Sequence, residues 1–160
     1  MIDHALFVLG LLSVLGCGLV SGIFFSFSTF VMKALARIPA AQGISAMQSI
    51  NITVINPWFM VPFMGTAVAC FIIMFSALTR WSDAGTAYLL SGSLTYLMGT
   101  FLVTIIFNVP LNNALESVEP ESPDGERLWK NYVASWASWN HVRTIASGTA
   151  SVLLLFAHLC

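Results

Sequence analysis

Four long runs of apolar residues divide this chain of 160 residues, and no Asp or Glu lies inside any of them. They cover residues 6–31, 57–78, 86–109 and 142–158. About 20 apolar residues in a helix cross the hydrocarbon core of a bilayer. The pattern therefore predicts four transmembrane helices, and their regular spacing with short connections favours an up-down-up-down bundle.

Two shorter segments have helical periodicity but not the length to cross a membrane. Each places its apolar or aromatic residues three or four positions apart, which puts them on one face of a helix. One-sided stripes of this kind predict two short interfacial helices, at residues 40–55 and 126–139. The stripes consist of Ile44, Met47, Ile50 and Val54 in the first segment and of Trp129, Tyr132, Trp136 and Trp139 in the second.

Prolines mark two of the predicted helix boundaries. Asn56 precedes Pro57, and a capping Asn followed by Pro at the first helical position starts a helix without losing a hydrogen bond. Pro110 lies near the end of the third run. Because proline lacks a backbone donor, we expect it to break or kink that helix.

Composition supports the membrane assignment. The chain is 58% hydrophobic and 8% charged, whereas soluble domains carry about 25% charged residues. We therefore expect an all-α integral membrane protein surrounded by the lipid bilayer, with residues 1–160 forming one domain. The net charge is −1 and no basic patch is present, which argues against nucleic acid as a partner.

Basic residues predict the orientation in the membrane. Five of the six lie in the first and third connections, and only Arg80 lies on the other side. The positive-inside rule then places connections one and three in the cytoplasm and both termini outside, in a bacterial inner membrane. The first run lacks a preceding basic stretch, which favours an uncleaved anchor over a signal peptide. The five residues are Lys33, Arg37, Arg127, Lys130 and Arg143.

Small and sulfur-containing residues add two further expectations. Cys17, Cys70 and Cys160 form no CxxC pair, which argues against a membrane thiol oxidoreductase. Gly18 and Gly22 are four residues apart in the first run, so the helix can approach a neighbour closely there. That neighbour could be another helix of the bundle or a second copy in a homo-oligomer, and both alternatives stay open.

Amides and one guanidinium gather where three predicted helices meet the same membrane face. Such groups near membrane depth are costly unless they face the bundle interior, so they are candidates for a functional site. They comprise Asn51 and Asn56 before the second run, Asn108, Asn112 and Asn113 at the end of the third, and Asn140 and Arg143 at the start of the fourth.

Arg143 is the most informative residue of this cluster, because it enters the membrane with no acidic residue close in sequence. Three explanations are open. Glu116, Glu119 or Glu121 could fold over and pair with it. Its side chain could extend to a lipid phosphate. Alternatively, it binds an anionic ligand, since charged groups in such positions often mark functional sites.

Histidines give little support for a metal or haem. His4 and His158 lie at the membrane face opposite to Arg143, with Asp3 and Cys160 near them in sequence. A metal site there stays open but is weakly indicated, because ligand spacing across helices cannot be judged from sequence. No histidine lies at mid-membrane, which argues against haem ligation within the bundle. We therefore predict no metal site.

Four short segments, each near a helix end, carry a family resemblance. They read ALARIP at residues 34–39, INPWFM at 55–60, NVPLN at 108–112 and WASWNHVR at 136–143. In this order they resemble the anthrone oxygenase-like membrane family, and the resemblance extends over nearly the whole chain. It implies oxidation of anthrones to anthraquinones with molecular oxygen and without a bound organic cofactor.

The implied chemistry suggests roles for the cluster. A cofactor-free oxygenase needs a base, a group that stabilises the oxyanion, and an apolar slot for a flat phenolic or polycyclic substrate. Arg143 would hold the oxyanion, which is worth about 3–4 kcal/mol, and His141 would be the base, although it points about 200° away from Arg143 on a regular helix. Asn112 would orient substrate or water. The expected substrate-binding residues are Asn56, Asn108, Asn140, Trp136, Trp139 and Phe59.

A non-catalytic membrane protein is the alternative. Proton-coupled carriers generally need an acidic residue within a span, and none is present, so facilitated passage or small-molecule binding is the form of transport that stays open. In an accessory subunit, the asparagines and Arg143 would only cap helices and contact headgroups.

Overall fold

The computed structural model describes residues 2–81 and 84–160, with side chains from His4 onward. Every regular element in this part of the chain is a helix, which confirms the all-α prediction. Helix α1 runs as Ile2–Ser26, continues through a π-helical stretch at Phe27–Val31 and finishes as Met32–Leu35. The other helices are α2 (Ala40–Thr53), α3 (Pro57–Thr79), α4 (Thr86–Glu116) and α5 (Pro123–Ala157).

Three of the described helices are long and apolar enough to cross a membrane: His4–Leu35 within α1, Pro57–Thr79 and Thr86–Glu116. They mark the chain as a multi-pass membrane protein, as the first three apolar runs predict. The fourth predicted span, residues 142–158, lies in α5, which is not among these candidates. The physical reason is that α5 combines its apolar end with Asn140, Arg143 and several Ser, Thr and Gly residues.

The long helices pack around a shared apolar core. Helix α1 contacts α5 and α3, and α4 contacts the same two helices. Neighbours run antiparallel: Phe24 in α1 lies beside Phe59 in α3, and Gly92 at the start of α4 lies beside Leu154 near the end of α5. The core residues are Cys17, Val20, Phe24, Phe63, Ala67, Cys70, Tyr96, Ala150 and Leu154.

Helix α5 corrects the prediction of a separate interfacial helix at residues 126–139. The helix is continuous over 35 residues, and the Ser122 side chain caps its start by accepting from the Gly125 N–H at 2.9 Å. Trp129, Tyr132 and Trp136 are buried within the protein. Their stripe is therefore a second apolar core and not a headgroup anchor.

Helix α2 confirms the short helix predicted at residues 40–55, and its apolar stripe faces the protein. Ile44 and Met47 are fully buried, and they share a core with Trp129 and Tyr132 of α5. A methyl group added at Gly43 would lie only 2.7 Å from the Trp129 ring, so α2 rests directly on α5. The two stripes therefore pack against each other in one apolar core.

Helix α4 continues through Pro110 to Glu116 instead of breaking there. Two π-helical stretches precede the proline, at Leu97–Leu102 and Thr104–Asn108. A π-turn pairs residues five apart and is wider than an α-turn. The preceding turn can therefore accommodate the proline ring, which would meet a backbone carbonyl in a regular helix.

Gly99 allows α4 to approach α5, and we expect Gly99→Ala to be destabilising. The added methyl group would lie 2.5 Å from the Ala146 side chain, and overpacking of this kind typically costs about 1–3 kcal/mol. Thermal unfolding of the purified protein measures the effect. Gly65→Ala is the matched control, because a methyl group there meets nothing within 4 Å. Equal melting temperatures for the two variants would contradict the close approach of α4 and α5.

Candidate functional site

Arg143 lies inside the protein, between α5, α4 and α1. Its side chain is 4% exposed. One terminal nitrogen donates to Asn140 Oδ1 at 2.8 Å, and the other donates to Thr104 Oγ1 at 3.3 Å. A guanidinium has five N–H donors, so most of its hydrogen-bonding capacity is not used by these two contacts.

Aromatic rings cover the guanidinium of Arg143. Its central carbon lies 4.1 Å from the centroid of the Phe24 ring and 5.0 Å from that of Trp136. A cation over an aromatic face is attracted by the ring's quadrupole, and the attraction is stronger where water is excluded. Phe24 belongs to the first apolar core and Trp136 to the second. The charge is therefore held at the junction of the two cores.

No carboxylate compensates this charge within the described part of the chain. The ion pairs found there are Arg127–Asp124 and Lys130–Glu126, both at the surface. The burial of Arg143 also excludes an extension to lipid phosphates. Of the three explanations drawn from sequence, pairing with Glu116, Glu119 or Glu121 is therefore not seen between described residues.

Asn140 links α5 to α1 and orients Arg143. Its Nδ2 donates to the Phe24 carbonyl at 2.7 Å and to Ser28 Oγ at 2.8 Å, while its Oδ1 accepts from Arg143. Ser28 in turn lies 2.9 Å from the Thr144 hydroxyl. Every polar atom of the Asn140 side chain thus has a partner within the protein, which leaves none for a ligand.

Asn112 joins α4 to the aromatic stripe of α5. Its Oδ1 accepts from the Tyr132 hydroxyl at 2.9 Å and from Trp136 Nε1 at 2.8 Å. Burial raises the pKa of Tyr132 above its ordinary value, and the smaller opposing effects of Asn51 and of the Arg143 charge do not cancel this. The phenol therefore stays protonated at neutral pH and remains a donor to Asn112.

Asn108 differs from the other predicted site asparagines. It is fully buried, and its Nδ2 donates to the Trp136 carbonyl at 3.3 Å. Its Oδ1 has no hydrogen-bond partner among the described residues, and the same holds for Arg143 Nε. Buried polar atoms without partners are uncommon in folded proteins.

The π-helical stretches supply polar groups that the sequence reasoning did not identify as site residues. Ser28 lies in the stretch of α1, and Thr104 lies in that of α4 beside Asn108. Phe24 was also missed, because an apolar residue inside a span carries no signal of its own. For Thr104, the sequence does contain an indication. Polar residues recur every four positions along α4, which places them near one face of the helix: Thr100, Thr104, Asn108 and Asn112.

Four predicted site residues lie apart from Arg143. Asn56 caps α3, accepting from the Phe59 N–H at 3.2 Å and donating to the Thr53 carbonyl at 2.8 Å. Phe59 stacks on Phe63 and meets the edge of Phe24, so it reaches Arg143 only through that ring. Trp139 stacks on Phe107 with ring centroids 3.6 Å apart.

His141 is the fourth of these residues. Its side chain is exposed, on a different side of α5 from buried Arg143. The structure thus groups Arg143, Asn108, Asn112, Asn140 and Trp136, and it leaves His141 outside the group.

His158, at the other end of the molecule, is held by backbone groups. His158 Nδ1 lies 2.7 Å from the Leu154 carbonyl, and its Nε2 lies 3.1 Å from the Phe7 carbonyl. Among the described residues, no group of three or more His, Cys, Asp or Glu side chains could hold a metal. The side chain of Asp3 lies outside the described residues. A cavity of about 270 Å³ at this end is lined by His158, Arg80 and mainly apolar residues.

A family comparison covers the helices that carry the site. A model described as anthrone oxygenase matches residues 58–153, more than half of the chain. The matched region includes α4 and most of α5, and hence Asn108, Asn112, Asn140 and Arg143. Neither the curated proteins nor the solved structures contain a match.

Proposed function

The chain belongs to the anthrone oxygenase family, and on that premise we propose that it is a cofactor-independent oxygenase of the membrane. Its substrate would be a flat phenolic or polycyclic compound with an acidic methylene group. The observation that carries the proposal is the buried guanidinium of Arg143, which has no carboxylate partner among the described residues. An oxyanion that forms on the substrate would supply the missing negative charge.

The first step of the proposed reaction is loss of a proton from the substrate. The methylene group of an anthrone-type compound gives up a proton, and the remaining electron pair is delocalised onto the ring oxygen. Arg143 stabilises this oxyanion through N–H groups that have no partner among the described residues. Removing one preorganised oxyanion donor typically costs about 3–4 kcal/mol. We assign the departing proton to water, because the exposed His141 does not face Arg143.

The second step is oxidation of the carbanion by molecular oxygen. The carbanion gives two electrons to dioxygen, a carbon–oxygen bond forms, and one proton completes a hydroperoxide. Cleavage of its oxygen–oxygen bond with loss of the second methylene proton gives the ketone and one molecule of water. The substrate supplies all the electrons, so the balance needs no further reductant and no bound cofactor.

Oxygen consumption by the purified protein in lipid nanodiscs tests this function. With anthrone as the probe, we expect one dioxygen consumed per anthraquinone formed, at a rate well above that in empty nanodiscs. With isotopically labelled dioxygen, the new carbonyl oxygen should carry the label. A rate equal to that of empty nanodiscs would reject the proposal.

The membrane arrangement proposed here has four spans in an up-down-up-down bundle. The apolar end of α5 would cross the bilayer with α1, α3 and α4, in a bacterial inner membrane, with both termini outside. Ile145 and Val152 support this, since they are 69% and 51% exposed on a helix that packs against two membrane-spanning candidates. Large exposed apolar side chains of this kind suit contact with lipid.

Cysteine labelling tests this arrangement. Cys160 is exposed, whereas Cys17 and Cys70 are buried. A membrane-impermeant maleimide added to intact spheroplasts should therefore label the protein through Cys160, and Cys160→Ser should abolish the signal. In the Cys160→Ser background, Glu121→Cys in the exposed turn between α4 and α5 should be labelled only after lysis. The reverse pattern would place the termini in the cytoplasm.

A non-catalytic role is the second candidate, and one observation favours it. The side chains of Asn112 and Asn140 bond to neighbouring helices, as expected of an accessory subunit whose polar groups only hold helices together. A binding or transport protein would instead show ligand-dependent stability without turnover. If anthrone changes neither the melting temperature nor the oxygen consumption, the accessory role is favoured.

A further inference from the structure

The ring of His158 lies between the end of α5 and the start of α1. His158 is the residue that follows the last turn of α5. Its Nδ1 lies 2.7 Å from the carbonyl oxygen of Leu154 in the same helix, and its Nε2 lies 3.1 Å from the carbonyl oxygen of Phe7 in α1. Both ring nitrogens therefore face backbone oxygens, one in each helix.

Packing against α1 fixes the ring in this position. A methyl group added at Gly10 would lie 2.5 Å from Nε2 of His158, so the glycine provides the space that the imidazole occupies. The Phe7 ring packs against the same imidazole, with ring centroids 5.0 Å apart and an angle of 63° between the planes.

The two hydrogen bonds together require a protonated ring. A carbonyl oxygen can only accept, so each contact needs an N–H on the imidazole. The neutral imidazole carries one N–H, and its other nitrogen presents a lone pair. One of the two contacts would then bring a lone pair against a carbonyl oxygen. The imidazolium, with two N–H groups, donates to both helices.

The end of α5 favours the same protonation state. The last carbonyl groups of a helix lack partners within it and carry partial negative charge, which favours a cation nearby. The backbone N–H of His158 donates to the Leu155 carbonyl at 3.0 Å, whereas a regular α-turn would use the carbonyl of Leu154. The ring therefore donates to a carbonyl that this N–H does not use.

Other charged groups around His158 are few in the described part of the chain. Arg80 of α3 lines the same cavity as His158, and α4 presents no charged residue to that cavity. His4 is exposed near the start of α1, and the side chains of Asp3 and Asp83 lie outside the described residues. Because Arg80 is positive, the carbonyl groups are what favours the imidazolium.

We propose that His158 forms a pH-dependent contact between α1 and α5 at this end of the bundle. With its proton, the ring donates to both helices. Loss of the proton removes one of the two donors and loosens the start of α1. Phe7 and His158 both line the cavity of about 270 Å³, so the same proton determines how firmly one wall of that cavity is held. The inference does not depend on the proposed function.

The sign of the pH dependence follows from proton linkage. The contact is complete with the proton present and incomplete without it. Its contribution to stability is therefore present at low pH and is lost as the pH rises. Histidines change charge between about pH 5 and 8, and we expect the loss in this range.

Nitrogen NMR of histidine-labelled protein in nanodiscs tests the protonation state. The chain has three histidines, and His4 and His141 are exposed. The double variant His4→Gln, His141→Gln therefore leaves His158 as the single labelled residue. We expect two protonated ring nitrogens at about pH 5.5 and one at about pH 8.5. A ring that stays neutral at both pH values would overturn the proposal.

Thermal unfolding tests the consequence for the helices. In the single-histidine protein, the melting temperature should fall by about 3–6 °C between about pH 5.5 and 8.5 as one charge-assisted hydrogen bond is lost. Adding His158→Gln, which does not titrate, should remove this part of the pH dependence. Gly10→Ala, which displaces the ring, should reduce it too.

The comparison of pH profiles decides the role of His158. All other titrating groups are common to the single-histidine protein and its His158→Gln derivative, so a difference between the two profiles belongs to His158. Identical profiles would show that the proton does not stabilise the contact between the helices. The NMR measurement uses protein in which His158 is intact, so it decides the proposal even if His158→Gln fails to fold.

Discussion

Replacing Arg143 by methionine should slow anthraquinone formation about a hundredfold to a thousandfold, because the oxyanion loses its stabilising charge. Methionine has a similar length and packs well against aromatic rings, so it can occupy the space between Phe24 and Trp136. Removing a buried charge that has no carboxylate partner among the described residues should not destabilise the fold severely. Initial rates of oxygen uptake in nanodiscs measure the effect.

Two further variants make this prediction specific. Arg127→Met is the matched control, because Arg127 is exposed and pairs with Asp124 at the surface. Thr104→Asp keeps Arg143 but gives it a carboxylate partner, since Thr104 Oγ1 already lies 3.3 Å from the guanidinium. It should slow turnover nearly as much as Arg143→Met. Rates in Arg143→Met within threefold of wild type would exclude Arg143 from the chemistry.

Replacing Asn140 by leucine should lower the free energy of unfolding by about 2 to 3 kcal/mol. The change removes two hydrogen bonds to α1 and the one that orients Arg143. Interhelical hydrogen bonds in membranes contribute about 0.6 kcal/mol on average and at most about 1.7. The larger total arises because the Ser28 hydroxyl and the Phe24 carbonyl lose a partner while buried. Unfolding by denaturant in mixed micelles measures the effect.

Asn113→Leu provides the comparison for stability, because Asn113 is exposed and should change it by less than about 0.5 kcal/mol. A second comparison is Ser28→Ala, which removes only one partner of Asn140 and should have an intermediate effect. If Asn140→Leu proves as stable as wild type, the link between α1 and α5 does not depend on this amide.

The helices were largely predictable from the sequence, but their environment was not. Hydropathy identified α1, α3 and α4, and the periodic stripes identified α2 and the first half of α5. From sequence alone, the stripes indicate interfacial helices, because a one-sided apolar face has the same pattern whether lipid or protein covers it. Ile44 and Trp129 show the difference: each is buried because the other helix lies against it.

The candidate site was predictable in outline. Polar groups are rare at membrane depth, so the sequence alone identifies them as candidates for a functional site. Those found in the structural cluster are Asn108, Asn112, Asn140 and Arg143. Which amides remain available could not be predicted, since this depends on the distance from each atom to a neighbouring helix. The π-helical stretches could not be predicted either, because no residue type marks them, yet they carry Ser28 and Thr104 to the site.

The sequence by itself determined that the chain is an all-α, multi-pass membrane protein of the anthrone oxygenase family, with one arginine among asparagines at the helix ends. These properties depend on local composition and order, which require no knowledge of packing. Only the tertiary structure decided that Arg143 is buried between Phe24 and Trp136, with no carboxylate beside it in the part of the chain that the structure describes. It also decided that the polar atoms of Asn140 have partners, while the side-chain oxygen of Asn108 accepts from no described group. Both facts depend on the rotation of one helix against another, which arises from packing over the whole fold.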